Sequence, residues 1–195
     1  MESHEIVKKL EELKSKQERI DNAWEKTGNK ELLQFFIEII PKVLDVERCS
    51  IFIHNPKEEN VWLECGSYLE EKQITAPIVG SLVGEVISTG QWKSMSGMDE
   101  QVGHHDVVGM QTGFEMRNTL CVPVGGVTED TATGAIQVMN KARDADFTDE
   151  DREILEKLAF HIQINIENIF LKQELYKVSE QLSEMINKLE SKLGN

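Results

Sequence analysis

Apolar positions along this chain follow two rhythms, and the switches between them divide it into elements. Ile6, Leu10, Leu13, Gln17, Ile20 and Trp24 recur at alternating spacings of four and three among Glu and Lys, the stripe of a heptad helix. Thr27-Gly28-Asn29 interrupts it. A denser helical pattern follows over residues 30–44, carrying Leu32, Leu33, Phe36, Ile37, Ile40, Val43 and Leu44, with Pro41 expected to kink or break it. The rhythm then changes to that of strands: Arg48 to His54, a turn-prone stretch at residues 55–60, and Val61 to Cys65 as its partner. Gln73 to Ala76 is a further extended segment. Between Ser81, a capping residue, and Gly90, a terminating one, the pattern predicts a short helix, with a strand at Gln91 to Met95 after it. Residues 96–109 are irregular, and two more strand-type runs lie at Asn118 to Val124 and Thr133 to Met139.

From Thr148 onward the pattern is helical, with no proline and no glycine until Gly194. Thr148 and Asp151 have the N-cap and N3 spacing of a capping box, and Asp149, Glu150 and Asp151 crowd the first turn, where the helix dipole favours acids. Two apolar sets share this helix. Leu155, Leu158, Ile162, Ile166 and Ile169 can pack on a sheet, whereas Leu171, Leu175, Val178, Leu182, Met185 and Leu189 form a seam that needs a partner. With the N-terminal heptads, that seam predicts a homodimer through the terminal helices, parallel or antiparallel. The competing arrangement folds the tail back on the N-terminal helix of the same chain.

The stretch Thr112 to Asp151 carries the most specific signal. It contains Thr112-Gly113-Phe114, then Arg117-Asn118, then Leu120 to Val124; after the second strand run come Asn140-Lys141, five residues, Phe147, three residues and Asp151. Lys141 leaves a strand end beside the acidic helix turn, so an ion pair between Lys141 and Asp151 is expected. These residues resemble the GAF domains of cyclic-nucleotide phosphodiesterases and adenylyl cyclases, whose motif is Asn-Lys, a gap, Phe, three residues, Asp-Glu. Arg152 stands where the final Glu belongs. The resemblance implies an α+β fold: a mainly antiparallel sheet of about six strands with helices packed on it, plus long N- and C-terminal helices. It divides the chain into an N-terminal helix (1–28), a GAF domain (29–171) and a coiled-coil extension (172–195). It further implies that Asn140, Lys141, Phe147 and Asp151 are structural, with the Lys–Asp pair a clasp rather than a catalytic dyad.

A purine pocket needs hydrogen-bonding groups on inward-facing strand positions and an apolar slot for the base. The positions at which cyclic-nucleotide GAF domains supply them correspond to Ser50, Glu64-Cys65, Thr112, Met116 and Gln137. Ser50, Thr112 and Gln137 keep hydrogen-bonding capacity; Met116 stands where a Thr is frequent, and Cys65 where an Asp is usual. By the same resemblance the irregular segment with His104, His105 and Asp106 is the pocket lid. Cyclic AMP or cyclic GMP is therefore a candidate ligand.

Charge and cysteine usage narrow the function classes. Lys and Arg number 21 against 35 Asp and Glu, a net charge of −14 that repels nucleic acid and anionic membranes. No signal peptide or spanning segment is evident, and three unclustered cysteines suit a reducing compartment, so a cytoplasmic protein is expected. Cys49 and Cys121 read as small core residues. Cys65 with the lid histidines leaves a redox or metal sensor open, though no metal-ligand spacing is present. No phosphate loop, nucleophile elbow or acid/base dyad appears, and no catalysis is expected. The reading is a small-molecule-sensing regulatory domain acting on an unidentified signalling protein. Its alternative is a ligand-free dimerisation or docking module.

Overall fold

The computed structural model describes residues 8–9, 11–19, 30–55, 58–68, 74–97, 111–128 and 131–193. Six strands form one sheet: β1 (Val46–Asn55), β2 (Asn60–Gly66), β3 (Thr75–Pro77), β4 (Lys93–Ser96), β5 (Asn118–Gly125) and β6 (Ala132–Lys141). Their order is β3-β2-β1-β6-β5-β4, and every pairing is antiparallel. The chain thus builds two hairpins, β1–β2 and β5–β6, and joins them by pairing β1 with β6 at the centre. Ile51 faces Ile136 and Ser50 faces Gln137 across that join.

Helices lie on both sides. An N-terminal helix, α1, occupies residues 11–19. α2 (Lys30–Leu44) and the first half of α4 (Asp149–Leu193) cover one sheet face, and α3 (Leu82–Thr89) covers the other. Leu33, Ile40, Ile51, Ile136, Leu155 and Ile162 lie in the core beneath α2 and α4. Each is buried, so this face removes a continuous apolar surface from water. Gly134 lets α4 come close: a Cβ there would sit 2.6 Å from Ile166 Cγ2 and 2.6 Å from the Phe52 carbonyl. On the opposite face Phe52, Leu63, Val86, Met116, Ala135 and Met139 pack together.

The local end signals behave as the residues dictate. Ser81 Oγ accepts from Gly84 N at 3.0 Å, and Gly90, at φ 65°, closes α3 by donating to the Val86 carbonyl. α2 is not broken by Pro41; it continues to Leu44, so the proline removes one backbone donor near the helix end without ending the helix.

α1 packs on α4 of its own chain. Leu13 is buried with Leu171 and Val178, and Gln17 Nε2 donates to Asn168 Oδ1 at 2.8 Å. The seam foreseen for a second copy is therefore partly covered within one chain, the competing arrangement weighed for the tail. Ile6, Leu10, Ile20 and Trp24 lie outside the described residues.

Candidate functional site

Three side chains lock the sheet to α4. Lys141, at the end of β6, donates from Nζ to Asp151 Oδ1 at 2.6 Å and to the Leu44 carbonyl at 2.8 Å, tying β6, α4 and the end of α2 together. Asp151 Oδ2 accepts from Thr148 N at 2.9 Å and Thr148 Oγ1 at 3.0 Å, while Thr148 Oγ1 accepts from Asp151 N at 3.2 Å. One carboxylate thus serves both the capping box and the ion pair. Burial pushes the Asp151 carboxyl up, but the bonds from Lys141 and Thr148 outweigh it and hold the group below its ordinary 3.8. The clasp expected of Lys141 and Asp151 is present. Phe147 is half-buried against the core under α4. Arg152 does not disturb the clasp: it pairs with Glu156 at 2.9 Å along its own helix and lies 5.2 Å from the Trp92 ring.

Asn140 has a reason to be asparagine. Its backbone is left-handed, φ 59°, a conformation Asn tolerates, and it is wholly buried. Its Oδ1 accepts from Arg117 N at 2.8 Å; its Nδ2 donates to Glu47 Oε2 and the Glu115 carbonyl, each at 2.9 Å. Asn118 reciprocates, accepting from Lys141 N at 2.8 Å and donating to the Ala145 carbonyl at 3.0 Å. Two asparagines thereby staple the start of β5 to the end of β6. In the sequence Asn118 stands out only as part of a motif, and no local pattern points to the Arg117–Glu47 ion pair at 2.6 Å.

A second joint was missed altogether. Glu167, buried in α4, accepts from Val127 N, from Thr128 N at 3.1 Å and from Thr128 Oγ1, gripping the β5–β6 turn. An acid set among the buried positions Asn165, Ile166 and Asn168 was the available signal.

The candidate pocket residues divide. Ser50 and Gln137 face each other across β1 and β6, on the sheet face opposite α2 and α4. Gln137 Nε2 donates to Thr119 Oγ1 at 3.1 Å and lies 3.7 Å from Met116 Sδ, so Ser50, Gln137 and Met116 share one wall. The Ser50 hydroxyl is fully buried and has no hydrogen-bond partner among the described residues. Thr112 is half-buried and accepts from Phe114 N at 3.3 Å, shaping the approach to Met116. Cys65 does not join this wall. It pairs with Ile51, whose side chain points to the α2–α4 side, because a bulge between Ile51 and Phe52 shifts the register. Glu64 is buried too, accepting from Trp62 Nε1 at 3.3 Å. The lid residues His104, His105 and Asp106 lie outside the described residues.

The thiols offer little chemistry. Burial pushes Cys49 and Cys121 well above the usual thiol range, which leaves them as unreactive core residues. Among the described residues no group of three or more His, Cys, Asp or Glu side chains is placed to hold a metal ion. No helix among them is long and apolar enough to cross a membrane.

This architecture, a six-stranded antiparallel sheet between helices with an Asn-Lys…Asp clasp at the root of a long terminal helix, is that of a regulatory, small-molecule-binding domain. The family model for the GAF domain matches residues 29–166, and the chain belongs to that family. Among solved structures it is similar to the GAF domain of a phosphoenolpyruvate-protein phosphotransferase from Coxiella burnetii, with 17% identity, TM-score 0.62, and 86% of this chain and 95% of that one covered. The GAF domain of the Acinetobacter phosphoenolpyruvate-protein phosphotransferase gives 16% identity, TM-score 0.60, and 84% and 92% coverage. That of a two-component sensor histidine kinase from Bacillus halodurans gives 20%, 0.53, and 72% and 97%. At such identities the likeness is one of fold. No curated protein matches the chain in sequence. GAF domains are generally regulatory and non-catalytic, and sensor proteins are among these neighbours.

Proposed function

We propose that this GAF domain is a non-catalytic sensor that takes a small molecule against the wall formed by Ser50, Met116 and Gln137. Occupancy is passed through the Lys141–Asp151 clasp to α4 and read there by a second copy of the chain or a signalling partner. The observation that carries the proposal is the Ser50 hydroxyl, fully buried and without a partner among the described residues. A buried polar group left unpaired costs free energy that a bound ligand would recover. Cyclic AMP and cyclic GMP are the first ligands to test. Titration calorimetry with both should give saturable binding that Ser50→Ala weakens; native mass spectra without a bound molecule, together with flat titrations, would overturn the reading.

A ligand-free docking module is the second reading, and Gln137 favours it, since its amide is turned onto Thr119 and Met116 rather than left open. Under either reading the assembly is a homodimer through α1 and α4. Support comes from the outer part of α4, where Leu175, Leu182 and Met185 are only partly buried and Tyr176 is exposed. Light scattering that returns a monomer mass would refute the dimer.

A further inference from the structure

We propose that the ligand of the Ser50 wall carries an oxyanion, a carboxylate or phosphate, and that Arg48 holds it. This rests on the sensor reading above and adds a ligand class and an anchoring residue. Arg48 lies two residues before Ser50 on β1, so the two side chains leave the same sheet face about 7 Å apart. Arg48 pairs across the sheet with Met139, which packs on that face. Its guanidinium lies 3.9 Å from the Phe114 ring centroid and 5.8 Å from that of Tyr68.

Phe114 thus lies against the guanidinium at contact distance with Tyr68 farther off, and among the described residues no carboxylate pairs with it. In a chain with 35 acids against 21 bases this matters, and Arg117 and Arg152 are both ion-paired. A stacked guanidinium keeps its in-plane N–H edge available, and that edge matches two oxygens of a carboxylate or phosphate. Stacking also limits its rotamers, so less freedom is lost when the anion binds. Ser50 supplies a second donor, and Met116 and Met139 are buried in the apolar core of the same face, behind the two donors. Donors at the head and thioethers behind suit an anion with an apolar or aromatic body, not a cation.

Calorimetric titration of the full chain should use cyclic AMP, cyclic GMP and inorganic phosphate, with adenosine and guanosine as uncharged counterparts, on the native sequence, Arg48→Gln and Arg48→Lys. A nucleotide is expected to bind at least about tenfold more tightly than its nucleoside. Arg48→Gln should lose that margin, Arg48→Lys should recover part of it, and rising salt should weaken the native affinity. Melting temperatures of the ligand-free variants separate a packing loss from a binding loss. If a nucleoside binds as well as its nucleotide, or Arg48→Gln binds the nucleotide unchanged, the oxyanion inference falls while the sensor reading stands. If none of the probes binds the native chain, both fall.

Discussion

The two faces of the sheet are built from the same strands yet do different work. Toward α2 and α4 the strands present Cys49, Ile51, Ile53, Val122, Ile136 and Val138, all buried. Toward α3 the alternate positions present Arg48, Ser50, Thr119 and Gln137 among Phe52, Ala135 and Met139. The first face has only the hydrophobic effect to supply, and it supplies it without interruption. The second spends part of its area on polar groups, one of which has no partner among the described residues. A strand residue and its neighbour can therefore have opposite value to the folded state.

Substitutions can break this contrast or sharpen it. Ile51→Ala, on the covered face, should cost about 3 kcal/mol in denaturant unfolding, since a wholly buried branched side chain leaves a cavity under α4. A loss under about 1 kcal/mol would mean that the helices are not seated as described. Lys141→Ala should cost about 2 kcal/mol by leaving the Asp151 carboxylate unpaired and mostly buried; an unchanged melting temperature would show the clasp to be ornamental. The same pair makes a pH prediction. Because the folded-state Asp151 carboxyl lies below its unfolded 3.8, its contribution is complete above that value and is lost as the pH falls through it and beyond. Asp151→Asn should flatten the acid limb of a stability curve.

Smaller effects test the face assignment itself. Cys65→Ser should cost about 1 kcal/mol, through a hydroxyl buried on the helix side, and leave ligand affinity untouched. A specific loss of binding in that variant would return Cys65 to the pocket wall. Ser50→Ala should change stability by less than about 1 kcal/mol, because the hydroxyl it removes makes no bond. Paired with its neighbour Ile51, it is the sharpest comparison available on one strand.

Much of this was legible in the residues, wherever the determinant is local. Ser81 and Gly90 bound α3, Thr148 and Asp151 open α4, and six strands appear where β-formers alternate between turn residues. The clasp was legible because its two residues are ten apart on a short connection. Cys65 was not. Simple alternation puts it beside Leu63 on the pocket side, and one bulge reverses its parity, something no local pattern announces. The Asn140–Glu47 bond joins residues 93 apart and depends on the finished pairing of β1 with β6, whereas the Glu167 joint spans 39 or 40 and depends on α4 docking against the β5–β6 hairpin. Arg48 escaped notice for the same reason: its rings come from β2's end and from the segment before β5.

α4 is 45 residues long, about 67 Å at the usual rise, and it is gripped near its root by Lys141 and again at Glu167. Beyond Glu167 the helix runs on for roughly 39 Å, so a tilt of about 5° there would sweep the far end through roughly 3 Å. Were an adjustment at the sheet to tilt the helix as a rod, its size at the far end would grow in proportion to that length.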